Sequence, residues 1–127
     1  MKLILSIAII FAALNFTNCS SQKAPSTTCF KGRLEIKGIC FNYTIKLTEG
    51  SIDTSRIVAA WKDETTGKSY TNVFGLGSPC SFPSTINAGD EFYFVMDTAK
   101  QNCAVCMAYY PTPSKKLSIK VLDKPCN

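Results

Sequence analysis

Histidine is absent from this 127-residue chain. Without an imidazole the sequence excludes Ser-His-Asp and Cys-His catalysis, histidine metal ligands and a histidine pH switch. The formal net charge of +5 is mild, and no basic tract extends beyond Lys115-Lys116. Nucleic acid is therefore not an expected partner.

A long apolar run is also missing. The longest apolar stretch, Leu3 to Leu14, is 12 residues long and is interrupted only by Ser6. A membrane span needs about 20 residues. Lys2 precedes the run and a small-residue region follows it, a pattern typical of a secretory signal. We expect residues 1–18 to be a signal peptide that is removed on export.

The segment Phe16-Thr17-Asn18-Cys19 follows the apolar run. It resembles the cleavage site of bacterial lipoprotein signal peptides, although Phe16 replaces the usual leucine and Asn18 replaces the usual glycine, alanine or serine. The resemblance implies that Cys19 becomes the new N-terminus and carries acyl chains such as palmitate. This covalent lipid would attach the protein to a membrane, and no other cofactor is expected.

The cysteine count agrees with that resemblance. Seven is an odd number, and an unpaired thiol is unfavourable in an exported chain. If Cys19 carries the lipid, six cysteines remain for three disulfides, which exported compartments permit. Those six are Cys29, Cys40, Cys80, Cys103, Cys106 and Cys126. Their pairing stays open, although Cys29 with Cys126 would connect the two ends of the domain.

The mature chain divides into two parts. Residues 19–28 have no large apolar side chain after Cys19 and are predicted to form a flexible, lipidated tether. Residues 29–127 show a period of two and are predicted to form a single all-β domain. We predict an antiparallel sandwich or small barrel of seven strands, with hairpins at 30–48, 56–74 and 91–110. The predicted strands are 30–36, 39–48, 56–63, 69–74, 91–97, 103–110 and 116–122.

Two groups of residues could carry chemistry. Cys103-Ala104-Val105-Cys106 has the spacing of a redox dithiol, but the expected strand context favours two structural half-cystines with separate partners. The neighbouring carboxylates Asp63-Glu64 and Asp90-Glu91 are interpreted as solvated turn residues. No catalytic residue and no metal site is predicted.

Aromatic side chains are the best candidates for binding. Trp61, Tyr70, Tyr109 and Tyr110 could stack on a sugar or a peptide, or could simply fill the core. The triplet Asp97-Thr98-Ala99 resembles an acceptor pattern of some bacterial O-glycosylation systems, which implies a glycan on Thr98.

Together these features predict a lipid-anchored cell-envelope protein that is a non-catalytic binding module for a protein, peptide or glycan. Two alternatives remain, an inhibitor of an exported hydrolase and a small thiol-redox protein that uses Cys103 and Cys106. Because Ser20-Ser21 lacks the aspartate associated with inner-membrane retention, we expect attachment to the outer membrane.

Overall fold

A computed structural model describes residues 28–126, so the predicted signal, Cys19 and nearly all of the tether lie outside the described residues. This part of the chain is all-β and contains two 3₁₀ turns, Ile39–Phe41 and Pro79–Ser81. None of its helical segments is long and apolar enough to cross a membrane. The seven strands are β1 (Cys29–Lys37), β2 (Tyr43–Glu49), β3 (Val58–Lys62), β4 (Ser69–Leu76), β5 (Glu91–Met96), β6 (Lys116–Leu117) and β7 (Ile119–Leu122).

The strands form one sheet in the order β3-β4-β2-β1-β5-β7, with antiparallel neighbours throughout. The short strand β6 pairs in parallel with the end of β4, through Gly75 with Lys116 and Leu76 with Leu117. Only Ser118 separates β6 from β7, which pairs with β5. The sheet therefore closes on itself, and of the two predicted architectures the protein adopts the small barrel.

The barrel closes through backbone hydrogen bonds and one serine. The N–H groups of Gly75 and Gly77 donate to the carbonyls of Lys115 and Leu117, each at 2.8 Å. Beyond them, the buried Ser78 hydroxyl donates to the Ile119 carbonyl and accepts from the Ile119 N–H, both at 2.8 Å. The Ser78 side chain thus extends the pairing to the second residue after the end of β4 at Leu76.

Alternating side chains explain why the strands bury one face. In β1 the side chains of Phe30 and Leu34 are buried, whereas Lys31 and Arg33 between them are only partly covered. A Cβ atom on Gly32 would lie 3.1 Å from atoms of Ile45 and Phe94, so glycine permits this close packing. The interior is rich in aromatic rings, each of which contributes about 1.5–3 kcal/mol on burial. Its buried aromatic members are Phe30, Tyr43, Phe74, Phe82, Phe92 and Phe94.

Several predictions from the strand pattern are confirmed. The hairpins at 30–48 and 56–74 correspond to the pairs β1–β2 and β3–β4. Gly67 has a positive φ of 73° in the loop between β3 and β4. The predicted strand at 91–97 corresponds to β5 (Glu91–Met96), which lies between β1 and β7.

Three strand predictions are wrong. Residues 103–110 form no strand, and the hairpin predicted at 91–110 does not exist because β5 pairs with β1 and β7 instead. The second strand begins at Tyr43 rather than Ile39, because residues 39–41 turn before it. The predicted strand 116–122 divides at Ser118 into β6 and β7, because each half has a different partner.

Three disulfides connect the six cysteines of the domain. Cys29 is bonded to Cys126, as the prediction proposed, with the Cα atoms 5.8 Å apart. Cys40 is bonded to Cys106 and Cys80 to Cys103, with Cα separations of 5.2 and 5.6 Å. Cys103 and Cys106 therefore have separate partners, as predicted. Three disulfides are compatible with an exported, oxidising environment.

Candidate functional site

Large apolar side chains are exposed at one end of the barrel. In the part of the chain that the structure describes, four such residues stand out, with exposed fractions of 59%, 37%, 95% and 78% for Ile39, Phe41, Met107 and Tyr109 respectively. All four lie on two segments, the turn 39–41 and the segment 104–113, which the Cys40–Cys106 disulfide joins. We refer to these four residues as the tip patch. Clustered exposed apolar side chains of this kind mark interaction surfaces.

The turn that presents Ile39 and Phe41 has an unusual backbone. Cys40 and Phe41 have φ angles of 55° and 58°, a left-handed conformation that costs an L-residue about 1–2 kcal/mol. Asn42 holds the turn, because its backbone N–H and its side-chain Nδ2 both donate to the Ile39 carbonyl, at 3.1 and 2.8 Å. The conformation directs Phe41 outward, although its ring still lies 5.4 Å from that of Tyr43. Strained residues of this type often occur at functional sites.

The second segment is extended but unpaired. It runs from Ala104 to Pro113 without a turn or bend. Within residues 28–126, no backbone–backbone hydrogen bond involves positions 98–114. The segment is attached to the barrel by other means. The Asn42 Nδ2 group donates to the Ala108 carbonyl at 2.8 Å, the Tyr110 ring covers Gly38, and Pro113 is buried.

A groove of about 400 Å³ lies beside the tip patch. Its walls come from the 3₁₀ turn 39–41, the end of β4 and the segment 105–109. Lys116 is the only charged residue that lines the groove within the described chain, and the other lining side chains are apolar or uncharged. The site is therefore suited to an apolar surface rather than to a polar metabolite.

The structure divides the four aromatic residues predicted to bind. Trp61 and Tyr70 face each other across β3 and β4 with ring centroids 5.9 Å apart, and Lys68 lies over the Tyr70 ring at 5.3 Å. Burial raises the pKa of Tyr70, and the nearby Glu35, Asp63 and Tyr110 raise it further.

The other two aromatic candidates differ in exposure. Tyr109 belongs to the tip patch, whereas Tyr110 is half-buried.

Sequence reasoning missed three members of the tip patch. Ile39 and Phe41 were expected in the predicted strand 39–48, and Met107 in the predicted strand 103–110. The signal that could have identified Met107 is the apolar character of both faces of residues 103–110. Such a segment is either buried on both sides or held on the surface by other bonds, and here the disulfides of Cys103 and Cys106 hold it.

Asp63 is not the solvated turn residue that the sequence predicted. Its side chain is 1% exposed. The carboxylate accepts hydrogen bonds from the Thr65 N–H at 2.8 Å and the Thr66 hydroxyl at 3.1 Å. Asp63 therefore organises the loop between β3 and β4.

Thr98 lies in the exposed loop that follows β5. The preceding carboxylate of Asp97 accepts a hydrogen bond from the Ala99 N–H at 2.9 Å, which shapes the loop around Thr98. A glycan on Thr98 stays a prediction, for which this loop offers access.

No group of three His, Cys, Asp or Glu side chains able to hold a metal ion occurs among residues 28–126. In comparisons with known proteins, no family model, no curated protein and no solved structure matches the chain. The candidate site therefore depends on the geometry of the tip alone.

Proposed function

We propose that this protein is a lipid-anchored, non-catalytic binding module of the cell envelope, and that the tip patch contacts a protein partner. The observation that carries the proposal is the clustering of Ile39, Phe41, Met107 and Tyr109 on two segments that a disulfide joins. Exposing these side chains opposes the hydrophobic effect, and burial against a partner would recover the apolar contacts.

The disulfides support the anchor on Cys19. All six other cysteines are paired in the structure, so Cys19 is the one that remains for a thioether bond to lipid. The outer membrane is the proposed location, because the residues after Cys19 lack an aspartate. A free, unmodified Cys19 in the natural protein would contradict this part of the proposal.

The direction of β1 separates the tip patch from Cys29, where the domain begins. Cys29 begins β1, and the turn 39–41 follows its other end. Nine residues at about 3.3 Å per residue separate the two ends of the strand by roughly 25 Å. The tip thus lies at the end of β1 opposite to Cys29, and we propose that it contacts a soluble protein or one on another surface.

Intact mass of the natively expressed protein tests the anchor. We expect the mass of residues 19–127 plus acyl chains, less six hydrogens for three disulfides. A hexose-based increment that disappears in Thr98→Ala would identify the glycan. A mass without acyl chains would show that the protein is simply secreted.

Site-specific photocrosslinking tests the binding surface. A photoreactive phenylalanine analogue replaces Tyr109 in the tip patch and, as the matched control, Thr65 in the exposed loop between β3 and β4. In intact cells we expect a defined protein adduct from position 109 and none from position 65. Equal adducts from both positions, or none from position 109, would contradict a specific site at the tip.

A further inference from the structure

The segment around Met107 is extended, exposed and outside the sheet. Cys106 is bonded to Cys40, and the Tyr110 ring lies against Gly38. Met107 and Tyr109 are directed to the solvent, and Met107 is the most exposed large apolar residue of the described chain. Cys106, Met107, Ala108 and Tyr109 are all exposed, so a partner can reach four consecutive residues of the segment.

The backbone of this segment is available for pairing. Positions 98–114 form no backbone–backbone hydrogen bond within residues 28–126. An extended peptide with free N–H and C=O groups can add to the edge of another protein's sheet, and the exposed side chains then enter pockets of the partner. Endopeptidases bind their substrates in such an extended form.

Covalent and hydrogen bonds hold the segment in place on either side of Met107. Cys103 and Cys106 connect it to the barrel before Met107. After Met107, the Asn42 Nδ2 group donates to the Ala108 carbonyl at 2.8 Å. A binding segment that is fixed in its bound conformation loses less entropy on association. It also keeps the two sides of the Met107–Ala108 peptide bond together, which disfavours release of cleaved ends.

The side chains restrict the type of protease. Between Cys103 and Ser114 the chain has no charged residue. Met107 is long, unbranched and apolar, so it suits a hydrophobic specificity pocket of the chymotrypsin type and not an acidic pocket of the trypsin type. The exposure of Met107 and Tyr109 leaves this segment open to a protease.

We propose that the protein inhibits an exported serine endopeptidase, with Val105–Tyr109 bound as an extended strand in the active-site cleft and Met107 in an apolar specificity pocket. This inference rests on the proposed function, because it uses the tip patch as the binding face and names its partner class. Protease–inhibitor interfaces of ordinary size can be very tight.

The test is an inhibition assay with the full mature protein, its three disulfides intact. The probes are chymotrypsin, pancreatic elastase and subtilisin, which accept apolar side chains, with trypsin as the comparison enzyme. We expect inhibition constants below about 1 µM for at least one of the first three and no inhibition of trypsin. Substitution of Met107 by Lys should weaken that inhibition by about 100-fold and create inhibition of trypsin.

One matched control and one further variant test this mechanism. Thr65→Lys places the same side chain in the exposed loop between β3 and β4 and should leave all four inhibition constants unchanged. Asn42→Ala removes the hydrogen bond to the Ala108 carbonyl and should increase the rate of cleavage of the Met107–Ala108 bond about tenfold. Circular dichroism checks that each variant is folded.

Three results would overturn the inference. They are the absence of inhibition of all three apolar-pocket proteases, rapid cleavage of the protein as a plain substrate, and unchanged specificity in Met107→Lys. The crosslinking experiment distinguishes the inference from the broader proposal. If an adduct forms at position 109 but no protease is inhibited, the tip binds another class of protein and only the protease inference fails.

Discussion

Cys40 and Cys106 are bonded to each other, and the residue that follows each of them, Phe41 and Met107, is exposed to solvent. The disulfide therefore joins the two segments that carry the tip patch. Without it, the turn 39–41 and the segment 104–113 would be connected chiefly by the hydrogen bond from Asn42 to Ala108 and the contact of Tyr110 with Gly38. The same bond serves stability and the arrangement of the site.

We predict that replacing both Cys40 and Cys106 by serine lowers the free energy of unfolding by about 4 kcal/mol. The bond spans 66 residues, and the loss follows from the larger conformational entropy of the unfolded chain. Removing the Cys80–Cys103 bond, which spans 23 residues, should cost about 3 kcal/mol. Urea denaturation of both variants measures the difference. A larger loss for the shorter loop would contradict the entropic explanation.

We predict that Phe41→Gly is more stable than Phe41→Ala by about 1 kcal/mol. Both variants lose the same ring, but only glycine adopts the φ of 58° at position 41 without steric cost. Lys62, on the exposed face of β3, is the matched control, and there alanine should be the more stable of the two because the backbone is ordinary strand. Thermal unfolding compares the four variants. The same order at both positions would show that the turn is not strained.

The alternating pattern predicted the sheet well where a strand buries one face and pairs with the next strand in the sequence. β1 and β2 alternate clearly, and a short turn joins them, so their pairing follows from sequence. The parallel contact of Gly75 with Lys116 joins residues far apart in the chain, and no local signal indicates it. The closing of the barrel was therefore not predictable from the alternation.

The tip could be predicted only in part. Tyr109 was a candidate because an aromatic ring can stack on a ligand, and the structure leaves it exposed. Phe41 was placed in a strand, because alternation does not show that a disulfide holds the backbone in a left-handed turn. The constraint that fixes this turn is the disulfide between Cys40 and Cys106. Because six cysteines allow 15 pairings, the local sequence does not identify that bond.

We predict that Tyr70 ionises above its ordinary pKa of 10.0. Burial disfavours the phenolate, and the negative charge of Glu35 disfavours it further. Because the folded-state pKa is the higher one, the stability linked to Tyr70 is complete below the unfolded-state pKa and is lost as the pH rises through the folded-state pKa.

Absorbance at 295 nm between pH 9 and 12 measures this ionisation, as the difference between wild type and Tyr70→Phe. Glu35→Gln should shift the Tyr70 transition to lower pH without removing it, since burial is the larger cause. A Tyr70 transition at or below pH 10 would contradict the packing of this ring against Trp61.

Ser78 provides the last prediction, because its hydroxyl connects the end of β4 to the start of β7. The group donates to the Ile119 carbonyl and accepts from the Ile119 N–H, and all three atoms are buried. Alanine at position 78 leaves both backbone groups unpaired, which we expect to cost about 2–4 kcal/mol in unfolding free energy. Ser81, exposed in the nearby 3₁₀ turn, is the control, and Ser81→Ala should change stability by less than about 0.5 kcal/mol. Equal free energies of unfolding for the two variants in urea would contradict this role of Ser78. The pairing of β4 with β6 would then be sufficient to close the barrel.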